Sequence, residues 1–194
     1  MRRCPWGETN DLYIKYHDEE WGVPVHDDRK HFEFLTLEAA QAGLSWLTIL
    51  RKRESYRKAY NHFHPLQVSK YDDKDIARLV QDEGIVRNHK KIEASVNNAR
   101  MFMEIKKEFG SFDNYIWQFV GYKPVVNRWK DVKAIPSKTA LSDQISKDLK
   151  KRGFRFVGST ITYAYLQAVG IVNDHIVSCF RYPQIISIPT QSST

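Results

Sequence analysis

Two cysteines and two histidines fall into two short half-sites. Cys4 and His17 lie near the start of the 194-residue chain, and His175 and Cys179 stand four apart near its end. In a helical context an i, i+4 pair shares one face, so both side chains can reach one ion. Two thiolates with two imidazoles are the donor set of a closed, tetrahedral structural zinc site. The same four residues also fit two buried free cysteines and two unrelated histidines, because cysteine is among the most buried residue types.

A second feature is a carboxylate placed where apolar residues belong. Glu38 shares a helical face with Phe34, Leu35 and Ala42, so it points inward. An unpaired buried carboxylate is costly, which makes it a functional candidate wherever a pocket opens. Trp6, Tyr13, Tyr16, Trp21 and Trp46 surround it in sequence. A carboxylate lined by flat rings suits a planar, electron-poor or cationic ligand held by stacking and cation–π attraction. A glutamate satisfied by a tyrosine hydroxyl or an arginine inside an ordinary aromatic core fits the same residues.

The third feature is KDLKKRGFR, residues 147–155, with five positive charges and one negative. Lys150, Lys151 and Arg152 lead into Gly153, and Phe154, Phe156 and Val157 follow before Gly158 and a new helix at Ser159. Two helices joined by a glycine-bearing hairpin present backbone N–H groups to an anion, and flanking lysines add counterion release. A solvated helix end has the same composition. The basic runs at residues 51–58 and 87–91 could serve similarly.

The elements that must position these residues are helical. Asp27-Asp28 opens a helix with one inward stripe, ended by Gly43, and a second starts near Ser45 with Trp46, Ile49, Leu50 and Tyr56. Asp72-Asp73 opens a third, closed by Gly84; residues 88–109 form the longest periodic run, and Ser111 caps a short helix. The period fails over residues 121–139, where Pro124 and Pro136 predict a long irregular connection. Helices resume over 142–152 and 159–169, with a further helical turn or two after Asp174. Strand-like alternation is almost absent, so the predicted class is all-α.

Composition bounds the partners. Thirty Lys+Arg against 23 Asp+Glu leave a net charge of +7, which permits a polyanionic partner without requiring one. Ten Tyr, ten Phe and five Trp make 13% aromatics, and rings interleaved with cations are what single-strand or flipped-base binding uses. With two cysteines, neither a disulfide framework beyond a single bridge nor a four-cysteine iron–sulfur cluster is possible. No apolar run approaches the roughly 18 residues of a membrane span, and the start carries no signal-peptide core. A cytoplasmic protein is expected.

RCPWGETNDLYIKYHDEEWGVP, FLTLEAAQAGLSWLTILRKRESYRKAY and KKRGFRFVGSTITYAYLQAVGIVNDHIVSC together resemble the bacterial DNA-3-methyladenine glycosylase I family, from Arg3 to about Tyr182. The resemblance implies a helix-hairpin-helix glycosylase fold: one catalytic domain over residues 1–183 in two helical lobes, followed by a loose tail from 184 to 194. It implies one structural zinc ion on Cys4, His17, His175 and Cys179, pinning the two ends of the chain together. Glu38, Tyr16 and Trp46 would form the base pocket, with Tyr13, Trp6 and Trp21 in or near its wall. The hairpin, with Gly153, Phe156, Gly158 and Ser159, would anchor DNA, and Gly43 and Leu44 would approach the gap left by the extracted base. Asp174 is the nearest counterpart of the aspartate that many helix-hairpin-helix glycosylases place after the hairpin, and a structural role is expected for it.

The implied activity is monofunctional removal of 3-methyladenine from alkylated double-stranded DNA by base flipping, performed by a monomer. No lysine stands out as a Schiff-base nucleophile, so lyase activity is not expected. The rival readings are a zinc-stabilised module that binds damaged DNA without cutting it, and a binder of free purines, which would not need the basic hairpin.

Overall fold

Asp27 caps the helix that organises the molecule: its carboxylate accepts the Lys30 N–H at 2.8 Å. In the computed structural model, which describes residues 1–189, this helix is α2 (Asp28–Gln41), preceded by α1 (Asp11–Glu19). The inward stripe expected of α2 widens to its whole circumference, for every residue from 31 to 40 is buried. It packs against α3 (Trp46–Ala59), α6 (His89–Phe109), α7 (Phe112–Trp117) and α9 (Ser159–Ala168). A helix surrounded in this way is central rather than amphipathic.

The remaining helices are α4 (Pro65–Val68), α5 (Asp73–Gln81), α8 (Ala140–Lys151) and α10 (Arg181–Ile186). Side-chain caps explain most of the starts. Asn10, Ser45, Asp72, Asn88, Ser111 and Thr139 each accept a backbone N–H from the first turn that follows. In α8 the buried positions Ser142, Ile145, Ser146 and Leu149 keep the helical period and face α9.

Some elements differ from their sequence pattern. The helix α1 escapes the sequence reading because it buries only Tyr16 and His17, too little for a periodic signal. The chain is mostly helical, but the irregular connection contains a two-residue strand, β1 (Val125–Val126), paired in parallel with β2 (Val172–Asn173). Helix α5 ends at Gln81, three residues before Gly84, where Asp82 turns extended. After Asp174 the chain makes turns, and helix begins only at Arg181. Residues 184–186, within the stretch expected to be loose, belong to α10 with Ile185 buried, and residues 190–194 lie outside the described part. No described helix is long and apolar enough to cross a membrane.

Candidate active site and metal cluster

Helices α1, α2, α3 and α9, with residues 132–137, enclose a cavity of about 570 Å³. Glu38 reaches it from the third turn of α2, Tyr13 and Tyr16 from α1, and Trp46 from the first position of α3. Trp6 and Trp21 complete an aromatic wall. Trp6 meets Trp21 edge-on at 4.9 Å and Tyr13 at 5.8 Å, while Tyr16 lies 5.3 Å from Trp46. Tyr13 is fixed by its hydroxyl, which accepts the Leu47 N–H at 3.1 Å and so ties α1 to the start of α3.

Glu38 is 4% exposed, and among the described residues no hydrogen bond or charge compensates it. Burial alone pushes its carboxyl up to about 8. Tyr16 is raised well above the usual phenol range, first by burial and then by the nearby Glu38 charge. Two polar groups without protein partners, set among rings in a concave site, are what a ligand with polar edges and a flat face requires.

The opposite wall comes from Thr160, Tyr163, Ala164 and Gln167 of α9. Their i, i+3, i+4, i+7 spacing is present in the sequence, but nothing there indicates that this helix face borders a cavity. The carboxylate of Asp174, fully buried, holds that wall. It accepts hydrogen bonds from the Tyr163 hydroxyl, from Gln167 Nε2 at 2.7 Å, from Trp129 Nε1 at 2.7 Å and from Asn127 Nδ2 at 2.7 Å. Asp174 therefore joins α9 to the irregular connection, which supplies Val132, Ile135, Pro136 and Ser137 to the cavity.

Behind Trp21 the four predicted metal ligands meet. The ligating atoms of Cys4, His17, His175 and Cys179 all lie within 4.8 Å of one another, fully buried. Cys179 Sγ is 3.4 Å from His17 Nε2 and 3.5 Å from His175 Nδ1, and Cys4 Sγ is 3.7 Å from that same nitrogen. These match the edges, about 3.3–3.8 Å, of a tetrahedron with metal–ligand bonds of 2.0–2.3 Å. The outer nitrogens are engaged: His17 Nδ1 donates to Asp18 at 2.8 Å, and His175 Nε2 donates to the Trp21 carbonyl at 2.9 Å. Such partners fix the ring orientation and turn the other nitrogen of each ring toward the sulfurs. The closeness of the two sulfurs, with burial, pushes the Cys4 thiol above its usual range, and that same closeness, with the His17 and His175 rings, holds the Cys179 thiol below it. Contrary to the helical spacing, His175 and Cys179 lie on a turn closed by Cys179 N–H to Ile176 O at 2.8 Å. That turn, rather than a helix face, brings them together.

The profile described as methyladenine glycosylase matches residues 6–182. The chain belongs to the methyladenine glycosylase family. It is 48% identical over 183 residues to DNA-3-methyladenine glycosylase 1 of Escherichia coli (strain K12), spanning 94% of this chain and 98% of that protein. To the DNA-3-methyladenine glycosylase of Haemophilus influenzae it is 46% identical over 177 residues, 91% of this chain and 96% of that one. A crystal structure of 3-methyladenine DNA glycosylase I superposes with a TM-score of 0.91 at 46% identity, covering 94% of this chain and all of the other. The Staphylococcus aureus enzyme, solved to explain 3-methyladenine recognition, superposes with a TM-score of 0.90 at 35% identity, covering 99% of both chains.

In this chain the three basic runs part company. Around Gly153, whose φ of +92° suits glycine and whose absent Cβ would sit 3.0 Å from Met101 Sδ, the hairpin is pinned to α6. Asn98 exchanges two 2.8 Å hydrogen bonds with the Arg155 backbone, and Asn97 donates to Gly153 O at 2.8 Å. Lys150, Lys151 and Arg155 are exposed, and Phe156 is half-buried with a φ of 54°. Gly158 precedes α9 without a side-chain cap, so the N–H groups of the first turn, from Ser159 on, have no capping side chain.

Arg152 departs from expectation. It pairs with Asp148 at 2.8 Å and Glu108 at 2.7 Å and lies over the rings of Phe109 and Tyr115, so its charge holds α8 to α6. Within residues 51–58, Arg53 is buried between Glu20 and Glu33, and Arg57 pairs with Glu33 and Glu54. Within residues 87–91, Arg87 pairs with Glu83, and Lys91 Nζ donates to the carbonyls of Ala40, at 2.9 Å, and Ala42. That ammonium closes the C-terminus of α2, where Gly43 turns with a φ of +79° into open space and Leu44 is left 41% exposed.

Proposed function

We propose that this chain hydrolyses the N-glycosidic bond of 3-methyladenine in alkylated double-stranded DNA, the opening step of base excision repair. The observation that carries this reading is Glu38: a buried carboxylate without a partner, at the end of an aromatic cavity of about 570 Å³. Its relatives are named for this activity, and one solved structure, a tyrosine-to-phenylalanine variant with a TM-score of 0.91, is a complex with 3-methyladenine.

Methylation at N3 makes the base cationic in DNA and weakens its bond to deoxyribose, so it leaves without strong acid catalysis. The protein has to extract the nucleotide, at a cost of a few kcal/mol, and hold the base. Stacking on Trp46, at about 1–3 kcal/mol, offsets much of that cost. With its carboxyl near 8, Glu38 is mostly protonated in the empty pocket at neutral pH. A cationic base favours the ionised form, so entry of the base drives one proton off Glu38, leaving a carboxylate against the positive ring. Ordinary adenine is neutral and brings no such gain; discrimination therefore rests on charge that is present before the bond breaks. The cavity lining contains no lysine, and the reaction is hydrolysis without a Schiff base.

Leu44, at the exposed turn after α2, would fill the gap left by the base. The α8–α9 hairpin, read as the helix-hairpin-helix element, would seat backbone phosphates on the α9 N-terminus beside Lys150 and Lys151. Cys4, His17, His175 and Cys179 would hold zinc. A closed set of four protein ligands leaves such an ion a structural role, joining the chain start to the segment after β2. Residues 1–183 would then act as one catalytic domain, working as a monomer in the cytoplasm.

The test is direct. Incubation with methylated DNA should release free 3-methyladenine. Glu38→Ala should abolish release while affinity for undamaged duplex persists. Tight, damage-selective binding with no release would instead support a non-catalytic binding module.

A further inference from the structure

Residues 123–138 carry five cations, Lys123, Arg128, Lys130, Lys133 and Lys138, and one acid, Asp131. All five cations are exposed. Lys138 approaches Asp143 at 4.0 Å, whereas the other four make no ion pair with a described residue. This contrasts with Arg53, Arg57 and Arg152, whose charges are used inside the fold.

The segment is also anchored. Val125 N–H donates to Ile171 O at 2.9 Å, Asn127 N–H to Asn173 O at 3.2 Å, and Trp129 O accepts the Val177 N–H at 2.8 Å. The Asn127 and Trp129 side chains bind Asp174. The Asp131 carboxylate is occupied with the Lys133 N–H at the start of a short turn. Within the same stretch Val132, Ile135, Pro136 and Ser137 line the base cavity, so Lys130, Lys133 and Lys138 stand within one or two residues of its wall.

Beyond the aromatic wall of α1 and α3, three stretches border this cavity. One is the end of α2 through Gln41, beside Gly43 and Leu44; the second is the start of α9 through Thr160, beside the hairpin; the third is the cationic segment. We propose that this third stretch is a phosphate-binding surface, engaging the DNA backbone beside the extracted nucleotide. The inference rests on the glycosylase reading. A strand whose nucleotide enters the cavity must carry its phosphates past the rim, and a backbone already held by β-pairing and Asp174 loses little entropy in meeting them.

The experiment compares the chain with a triple variant, Lys130→Gln/Lys133→Gln/Lys138→Gln. Affinity for undamaged duplex is measured across a salt series, and affinity for free 3-methyladenine by fluorescence titration. Each phosphate contact contributes about 0.9 to the slope of log affinity against log salt, so the slope should fall by about 2 to 3, with about tenfold weaker binding at low salt. Binding of the free base should not change. An unaltered salt slope overturns the proposal, leaving these lysines as a solvated face. Loss of free-base binding in parallel with DNA binding overturns it too, since the segment would then act only through the pocket wall. Failure of the parent chain to release 3-methyladenine would count against the glycosylase reading alone, because the slope on undamaged duplex is measured without excision.

Discussion

The indole N–H of Trp129 donates to the Asp174 carboxylate at 2.7 Å, across 45 residues of chain. Three more donors converge on that carboxylate, so its removal strands several buried polar groups at once. Asp174→Ala should cost at least about 3 kcal/mol in urea melts, at 1–3 kcal/mol for each buried group left unsatisfied. Full stability with excision lost would instead mark Asp174 as a participant in the chemistry.

Glu38 predicts a pH dependence of known sign. Its folded carboxyl sits near 8 against an ordinary 4.5, so between those values the folded state holds a proton that the unfolded state has released. Stability contributed by Glu38 is therefore lost as pH rises from about 4.5 to 8. Glu38→Gln should be the more stable protein, by a margin that widens over that window in thermal melts. On alkylated DNA, kcat/KM should rise with pH toward an apparent pKa of about 8, and the limb of kcat should fall lower, because the cationic base favours ionisation. A flat kcat/KM profile from pH 5 to 9 removes Glu38 from recognition.

The cysteine–histidine cluster predicts one equivalent of zinc by elemental analysis. Cys179→Ser should lose the metal and melt at lower temperature. Chelator sensitivity should grow as pH falls, because thiolate ligands compete with protons for the ion. A fully stable, metal-free preparation would refute the site.

Lys91 predicts a stability effect at the turn before α3. Lys91→Met removes an ammonium from two carbonyls at the end of α2 and should cost about 1–2 kcal/mol, the scale of a cation at a partly buried helix C-terminus. Affinity for free 3-methyladenine should fall only modestly, since Glu38 lies upstream of the bonded carbonyls and Gln41 alone between them lines the cavity. An unchanged urea midpoint would show that the ammonium is merely solvated.

The hairpin separates two kinds of basic residue. Neutralising Lys150 and Lys151 should lower the salt slope of DNA binding by about 2. Arg152→Gln should instead lower the melting temperature through loss of its pairs with Asp148 and Glu108, leaving the slope in place. The reverse pattern would exchange their roles.

Caps and periodicity carried α2 and α3, and periodicity alone carried the α8–α9 pair, because a short polar side chain or an apolar stripe is local information. Donor chemistry likewise marked Cys4, His17, His175 and Cys179, although the helix invoked to unite His175 with Cys179 is a turn. An inward glutamate among rings was legible as well, since burying a carboxylate is costly wherever it happens. Tertiary structure alone decided which charges are free. Arg152, Arg53 and Lys91 read as basic surface until partners distant in sequence, Glu108, Glu20 and the end of α2, come within reach. Tertiary structure also made Val132, Ile135, Pro136 and Ser137 part of the pocket, because a carboxylate at position 174 holds the stretch before them through Asn127 and Trp129. Local sequence sets what each residue can do, whereas burial and long-range pairing set what it is left to do.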